Sequence, residues 1–332
     1  MQTLLLTLQP HTAFGTPLLG DTLFGQLCWA LRNRHGETRL QSLLAGYTEG
    51  QPFAVVGDAS PQGFVLKPQL PANWLPVITD PTQRKAAKRQ RWLPVTALGQ
   101  GTLQHAMTQA QTDQQVAQLL TGQDGSLQQQ RTQPHNSINR HTGTTGKGDF
   151  APYTTEQLWH APGLAYQLTI VLDETRLTLA ELRQACDDIG AFGFGRDASI
   201  GLGKFSVLDL VEWQPGTPAN ANANANAWLS LGPCNPAGQG LDSRFCFYQP
   251  FTRFGRHGDI GALTGQPFKQ PVLLIRGSAV LTPQHFSLQP FIGRGLGGNG
   301  ELSHAPGLHA TVHQGYAPLL PVNLAITQEQ AA

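Results

Sequence analysis

The chain has 332 residues, enough for two domains of ordinary size that each bury a core of their own. Charged residues make up 13% of the composition and the formal net charge is +1, so no global basic field marks a nucleic-acid partner and any such contact must come from local clusters. The four cysteines, Cys28, Cys186, Cys234 and Cys246, form no Cys-x-x-Cys pair, no basic leader opens the chain, and no apolar run approaches the roughly 18 residues of a membrane span; the expected setting is a reducing cytoplasm without membrane contact.

Thr3 to Gln9 reads as a short buried strand ended by Pro10. A helix follows, capped by Asp21 and stopped by Gly36, because Leu23, Phe24, Leu27, Cys28 and Leu31 fall at the three-and-four spacing of a single apolar stripe. GFVLKPQL from Gly63 reads as a strand, and from about Pro76 to Ala151 the character changes to Gln, Thr, Gly and His with few large apolar residues, the mark of an insertion. AYQLTIVLD (Ala165 to Asp173) suits a strand; Leu179, Leu182, Cys186 and Ile189 suit a helix ending near Gly190; KFSVLDLVEW (Lys204 to Trp213) suits the next strand. Strand, helix, strand, insertion, strand, helix, glycine loop, strand is the order of a ferredoxin-like βαββαβ unit. QPGTPANANANANA (Gln214 to Ala227) has no apolar residue larger than Ala and reads as a linker. Beyond it, WLSLGP, SRFCFYQPF, PVLLIRGSAVL, QHFSLQPFI, LHATVHQGY and APLLPVNL are strand-length segments separated by Gly and Pro.

The segment GFGRDASIGLGKF (Gly193 to Phe205) matches the G-x-G-x-x-G/A pattern at Gly193, Gly195 and Ala198, as do Gly293, Gly295 and Gly298 further on. A dinucleotide fold needs a strand before the first glycine and a helix opening at the last, and neither match has that frame. Two readings of the first loop remain open. Its glycines can turn backbone N–H groups toward an anion, with Arg196, Ser199 and Lys204 completing a site for a sugar-phosphate chain, or they can simply make a tight helix-to-strand connection. RKAAKRQRW (Arg84 to Trp92) is the densest positive cluster; Arg84, Lys88 and Arg91 share a helical face that is either solvated or in contact with RNA, with Trp92 available for stacking. HNSINRHTGTTGKGD (His135 to Asp149) is a long polar stretch anchored by Ile138 alone. His304, His309 and His313 have no partner spaced for zinc, so neither a metal nor any other cofactor is expected. His35, just past the first helix, is either a surface residue at the helix C-terminus or a general base for RNA cleavage.

These segments together carry a resemblance. GFGRDASIGLGKF resembles the glycine-rich loop of the RAMP superfamily of CRISPR-associated proteins. GDTLFGQLCWAL, HNSINRHTGTTGKGDF, FGRHGDIGALTGQPFKQPVLLIRGSAVL and HQGYAPLLPV are similar to the group-five RAMP subunit of type III-A (Csm) effector complexes. The resemblance implies an α+β chain of two ferredoxin-like (RRM-like) domains. Residues 1–213 would hold the insertion (about 76–151) and the glycine loop (193–205), 214–227 the linker, and 228–332 the second, strand-rich domain. It further implies a non-catalytic subunit that grips the five-prime repeat-derived handle of the crRNA, near the target RNA, and that contacts the large polymerase-like signalling subunit and the backbone RAMP subunit. Carried over by position, Gly193, Gly195, Arg196, Ser199, Gly201, Gly203 and Lys204 fall on the RNA-binding loop. His135, Asn136, Asn139, Arg140 and Thr142 fall on a projecting thumb, and Arg253, Arg256 and Lys269 on the second domain's side of the groove; Lys88 and Arg91 join them from the basic cluster. Asp197 and Ala198 depart from the more positive loops of that family. The alternative within the superfamily is an endoribonuclease processing precursor crRNA with His35 as base, which the more than one-third of the chain after the loop argues against.

Overall fold

The computed structural model describes residues 1–75, 78–146, 148–214, 224–258, 271–297 and 311–327. Strand β1 (Gln2–Pro10) alternates, with Leu4, Leu6 and Leu8 on the face that enters the core. Helix α1 (Gly20–His35) lays Leu23, Phe24, Leu27 and Leu31 on that face and stops at Gly36, whose φ of 87° excludes most side chains. The expected Asp21 cap is a different residue: Asp58, 38 positions on, accepts the Gly20 N–H at 2.7 Å, while Asp21 is turned inward. Helix α2 (Glu37–Leu44) follows, then β2 (Ala54–Val56), β3 (Ser60–Pro61) and β4 (Phe64–Leu66).

The segment expected to be a polar insertion carries more structure than its composition suggests. Helix α3 (Pro81–Arg89), capped by the Asp80 carboxylate, has no buried residue. Next come β5 (Trp92–Pro94), paired with β4, and the short helices α4 (Val95–Leu98), α5 (Leu103–Met107) and α6 (Asp113–Thr121). Leu93, Ala97, Leu103, Ala106, Met107 and Ala110 are buried in one core with Leu229, Val280 and Leu320 of the C-terminal strands. Alanines in one-turn helices give no periodic apolar signal, which is why this packing is silent in the sequence. Strands β6 (Gln128–His135) and β7 (Tyr153–His160) then form an antiparallel arm, and β8 (Tyr166–Leu172), α7 (Leu179–Phe192) and β9 (Phe205–Glu212) complete the first half.

The main sheet runs β2-β8-β1-β9, all antiparallel, with β3 beside β8. Helices α1 and α7 cover the Leu4/Leu6/Leu8 face; Arg34 of α1 meets Asp188 of α7 at 2.7 Å, and Arg39 of α2 meets Glu181 of α7 at 3.2 Å. At about 1.5–3 kcal/mol for each large apolar side chain removed from water, this face is the main stabilising element of the first half. After the linker come β10 (Ala227–Ser230), β11 (Pro250–Arg253), β12 (Val272–Ile275), β13 (Val280–Leu281), β14 (Phe291–Gly297) and β15 (Val312–Val322). They form a sheet ordered β13-β10-β15-β14 and the pair β11-β12, with no α-helix among the described residues of 224–327. Residues 312–316 and 317–322, from two segments expected as separate strands, form the single strand β15. That strand joins the halves, since Gln314 exchanges hydrogen bonds with Val56 at 2.8 and 2.7 Å and Tyr316 Oη donates to the Tyr47 carbonyl at 2.6 Å.

Candidate nucleic-acid interface

The glycine loop is built from backbone contacts. Gly193, Gly195, Gly201 and Gly203 all have positive φ. A Cβ on Gly203 would lie 2.1 Å from the Phe194 carbonyl oxygen, and one on Gly193 would lie 2.3 Å from that of Leu202, so both are required by close approach as well as by conformation. Most of the loop's amides are satisfied from within the protein. Phe194 N–H bonds to Gly203 O and Gly203 N–H to Ala13 O. Gly195, Arg196 and Lys204 donate their N–H groups to the side chains of Gln26, Thr16 and Thr12 at 3.4, 3.0 and 3.0 Å. The tight-connection reading therefore accounts for the glycines, and the ligand-facing chemistry is left to the exposed side chains of Arg196, Ser199 and Lys204. Asp197 holds φ 65° and pairs with Arg196 at 3.2 Å, which tempers the positive charge of the loop.

The arm rises beside this loop. Phe14, in the same β1–α1 segment that supplies Thr12 and Thr16, exchanges backbone hydrogen bonds with Leu158 at 2.9 and 2.8 Å and anchors the arm's base. His160 lies there between Phe14 and Tyr166; burial pushes its imidazole down to about 4, so it is neutral at physiological pH. Arg196 reaches across and donates from Nη2 to the Glu156 carbonyl, tying loop to arm. Thus the two clusters expected from the sequence, 193–204 and 135–142, belong to neighbouring elements. On the arm, His135 stacks on Tyr153 at 5.2 Å and bonds Thr155, Asn139 accepts the His141 N–H at 2.9 Å, and Asn136, Arg140 and Thr142 are exposed. Ile138 is 58% exposed and anchors nothing; the arm is held by its strand pairing instead.

Sequence reasoning missed Arg131, Tyr153 and Trp159. Alternation places them on one arm face, Tyr153 and Trp159 are 54% and 41% exposed, and Arg131 lies 5.4 Å above the Trp159 ring. The available signal was a Tyr/Thr/Trp-bearing segment with period two flanking the polar stretch.

The remaining expected residues have other settings. Lys88 is exposed on α3, while Arg91 is drawn to Asp113 at 3.4 Å; Trp92 donates its indole N–H to the same carboxylate at 2.6 Å and is partly buried, which removes it as a free stacking surface. Arg253 is engaged within the protein. It pairs with Asp21 at 2.6 and 3.0 Å, with His313 on the same carboxylate at 3.3 Å. Burial would raise the Asp21 carboxyl, but the hydrogen bond from His313 and the charges of Arg253 and His313 outweigh it and hold it below the usual carboxylate range. For nearby Asp58 burial, with the Asp21 charge, outweighs the Gly20 N–H bond and the pull of Arg253 and pushes it up to about 7. Arg256 is exposed; Lys269, His304, His309 and residues 215–223 of the linker lie outside the described residues. His35 sits at the far end of α1, nine residues or about 14 Å of helix beyond Gln26, the residue that touches the glycine loop. No cluster of metal-ligating side chains occurs among the described residues, and no helix there is long and apolar enough to cross a membrane.

No family model matches the chain, and no curated protein sequence matches it. Solved structures do. A chain of the crystal structure of the Csm3-Csm4 subcomplex in the type III-A CRISPR-Cas interference complex superposes with a TM-score of 0.61 at 13% identity, covering 97% of this chain and 100% of that one. A chain of the Csm1-Csm4 cassette in complex with pppApA gives 0.55 at 12% identity, covering 99% and 100%, and one of the same cassette in complex with cA4 gives 0.54 at 14%, covering 98% and 99%. The mixed α/β fold with several antiparallel sheets is therefore shared along essentially the whole chain.

Proposed function

We propose that this protein is a non-catalytic RNA-binding subunit of a type III-A CRISPR effector complex, of the group-five RAMP kind, acting in antiviral defence. The observation that carries the proposal is the Arg196 side chain, which joins the glycine loop to the base of the arm and leaves Arg196, Ser199 and Lys204 exposed beside a polar, aromatic-bearing projection. Cations for phosphates, amide and hydroxyl side chains for base edges and ribose, and stacking rings are the groups single-stranded RNA needs. The ligand is the five-prime handle of the crRNA, with the arm directed toward the target RNA, and Lys88 and Arg256 contribute peripheral charge. The protein partners are the large polymerase-like signalling subunit and the backbone RAMP subunit; the likeness to chains of Csm1-Csm4 and Csm3-Csm4 assemblies supports this, and no cofactor is invoked. In this reading β1, α1, β2, β8, α7 and β9 form a ferredoxin-like unit within residues 1–213, which the sheet order supports, and residues 228–332 form the second RAMP unit.

The test is to purify the tagged protein with its native neighbours and sequence the bound RNA with both ends mapped. Reads sharing one repeat-derived five-prime end are expected, and Arg196→Glu with Lys204→Glu should abolish that retention; unchanged RNA occupancy would overturn the site. His35→Ala should leave crRNA maturation intact, and loss of cleavage would favour the endoribonuclease instead.

A further inference from the structure

Away from the loop and arm, a cavity of about 160 Å³ opens on the face of the main sheet opposite α1 and α7. It is closed by three separate stretches of chain, the sheet itself, the β4–β5 pair and the β10 and β12–β13 segments, a placement typical of ligand sites. Its walls are mainly apolar, from Leu5, Val95, Trp213 and Leu231, and among the described residues no lysine, arginine or histidine lines it. Six polar residues line it; the side chains of Gln167, Ser230 and Ser278 bond within the protein, and Asp58, Ser60 and Thr169 remain. Thr169 faces Leu5 across the β1–β8 pair, Ser60 faces Gln167 across β3–β8, and Asp58 precedes Ser60 by two residues. Gly277 is held to glycine here, since a Cβ would stand 2.6 Å from Asp58 Oδ2. Asp58 Oδ1 is committed to the Gly20 N–H, but among the described residues no hydrogen bond reaches Asp58 Oδ2, Ser60 Oγ or Thr169 Oγ1. Asp58 and Ser60 are only partly buried, so the carboxyl oxygen is open to any donor that enters the cavity.

We propose that this cavity is a binding site for a single nucleobase bearing an exocyclic amine, with Asp58 Oδ2 accepting from the amine and Ser60 and Thr169 bonding the ring nitrogen beside it. The volume suits one planar ring system, since an apolar cavity of roughly 150 Å³ takes a benzene-sized ring. The absence of cations excludes a phosphate from the cavity itself, and a carboxylate oxygen repels the carbonyl edge of uracil while accepting from adenine, cytosine or guanine. Such a base can be a nucleotide of bound RNA or a free nucleoside, and the site stands whichever supplies it.

The experiment titrates the full-length protein at pH 8 with adenosine, cytidine, guanosine and uridine, and with short single-stranded RNAs differing at one base, by calorimetry. At least one amino-bearing base is expected to bind about ten-fold or more tightly than uridine. Asp58→Asn should reverse that order, because the Gly20 N–H keeps the amide oxygen on its own side and turns the amide NH₂ into the cavity, where it donates to uracil. Thr169→Val should weaken binding without reversing it. Binding of the RNAs alone assigns the base to RNA; binding of nucleosides as well assigns it to either source. Equal affinity for all four bases, no binding, or binding indifferent to both substitutions overturns the proposal. RNA retention by the native complex, lost on Arg196→Glu with Lys204→Glu, is followed in parallel: retention with an empty cavity sinks only this inference, and base binding without retention sinks only the handle reading.

Discussion

The glycine loop and the arm both stand out in sequence as glycine-bearing stretches with a few cations, yet they are built in opposite directions. The loop spends its backbone inward: its amides bond to Thr12, Thr16, Gln26, Ala13 and Gly203, and two of its glycines are pressed against carbonyl oxygens. The arm exposes all but one residue of β6 and half of β7, and is held by one strand pairing, its base at Phe14 and the Arg196 tie. The difference teaches that glycine spacing here reports how closely two backbones approach, whereas ligand contact is left to a handful of exposed side chains.

The largest effect expected from this contrast is at Gly203. Gly203→Ala combines a φ of 74° with a clash against Phe194 O, and should cost about 4 kcal/mol or more or prevent folding, as read by urea denaturation. Arg253, assigned to the RNA groove by resemblance, belongs with the inward class. Arg253→Met leaves the buried Asp21 carboxylate with His313 and the Thr22 N–H but without its arginine, and should cost about 3 kcal/mol; a loss of RNA retention without loss of stability would return Arg253 to the groove.

Asp58 provides a pH-dependent case. Its folded-state value is raised, so the cost of its ionisation in the folded protein grows as pH rises from about 4 toward 7. Asp58→Asn should therefore be near neutral at pH 4 and stabilise by about 2 kcal/mol at pH 8, compared by thermal melts at both pH values. Gly201 sharpens the comparison within the loop itself, because it shares the positive φ, 97°, but faces open space; Gly201→Ala should cost only about 1 kcal/mol. The smallest effect on stability is expected from the arm. Replacing residues 137–151 by Asn-Gly should change the unfolding free energy by less than about 0.5 kcal/mol while reducing RNA retention, and a large drop in stability would show that the arm's tip is packed.

Much of the first half was legible because its elements are periodic. The leucines of β1 and the stripe of α1 emerge at their expected positions, and the α7 pattern led to a helix only two residues longer than foreseen. Residues 92–127 read as polar because their few large buried residues are interspersed with alanines, and a one-turn helix is too short to show a period. The site was half legible. Arg196, Ser199 and Lys204 stand exposed as expected, but the Arg131, Tyr153 and Trp159 face exists only once β6 and β7 pair.

By itself the sequence determined the places of β1, α1, β8, α7 and β9, and that the glycine loop 193–205 joins a helix to a strand, since period and φ preference are local properties. Tertiary structure alone decided which charges are spent internally. Asp58 rather than Asp21 caps α1, Arg253 crosses between the halves to neutralise Asp21, and Arg196 ties loop to arm. Each of these pairings joins residues tens to hundreds of positions apart, and its energy depends on burial and distance, which no local pattern encodes.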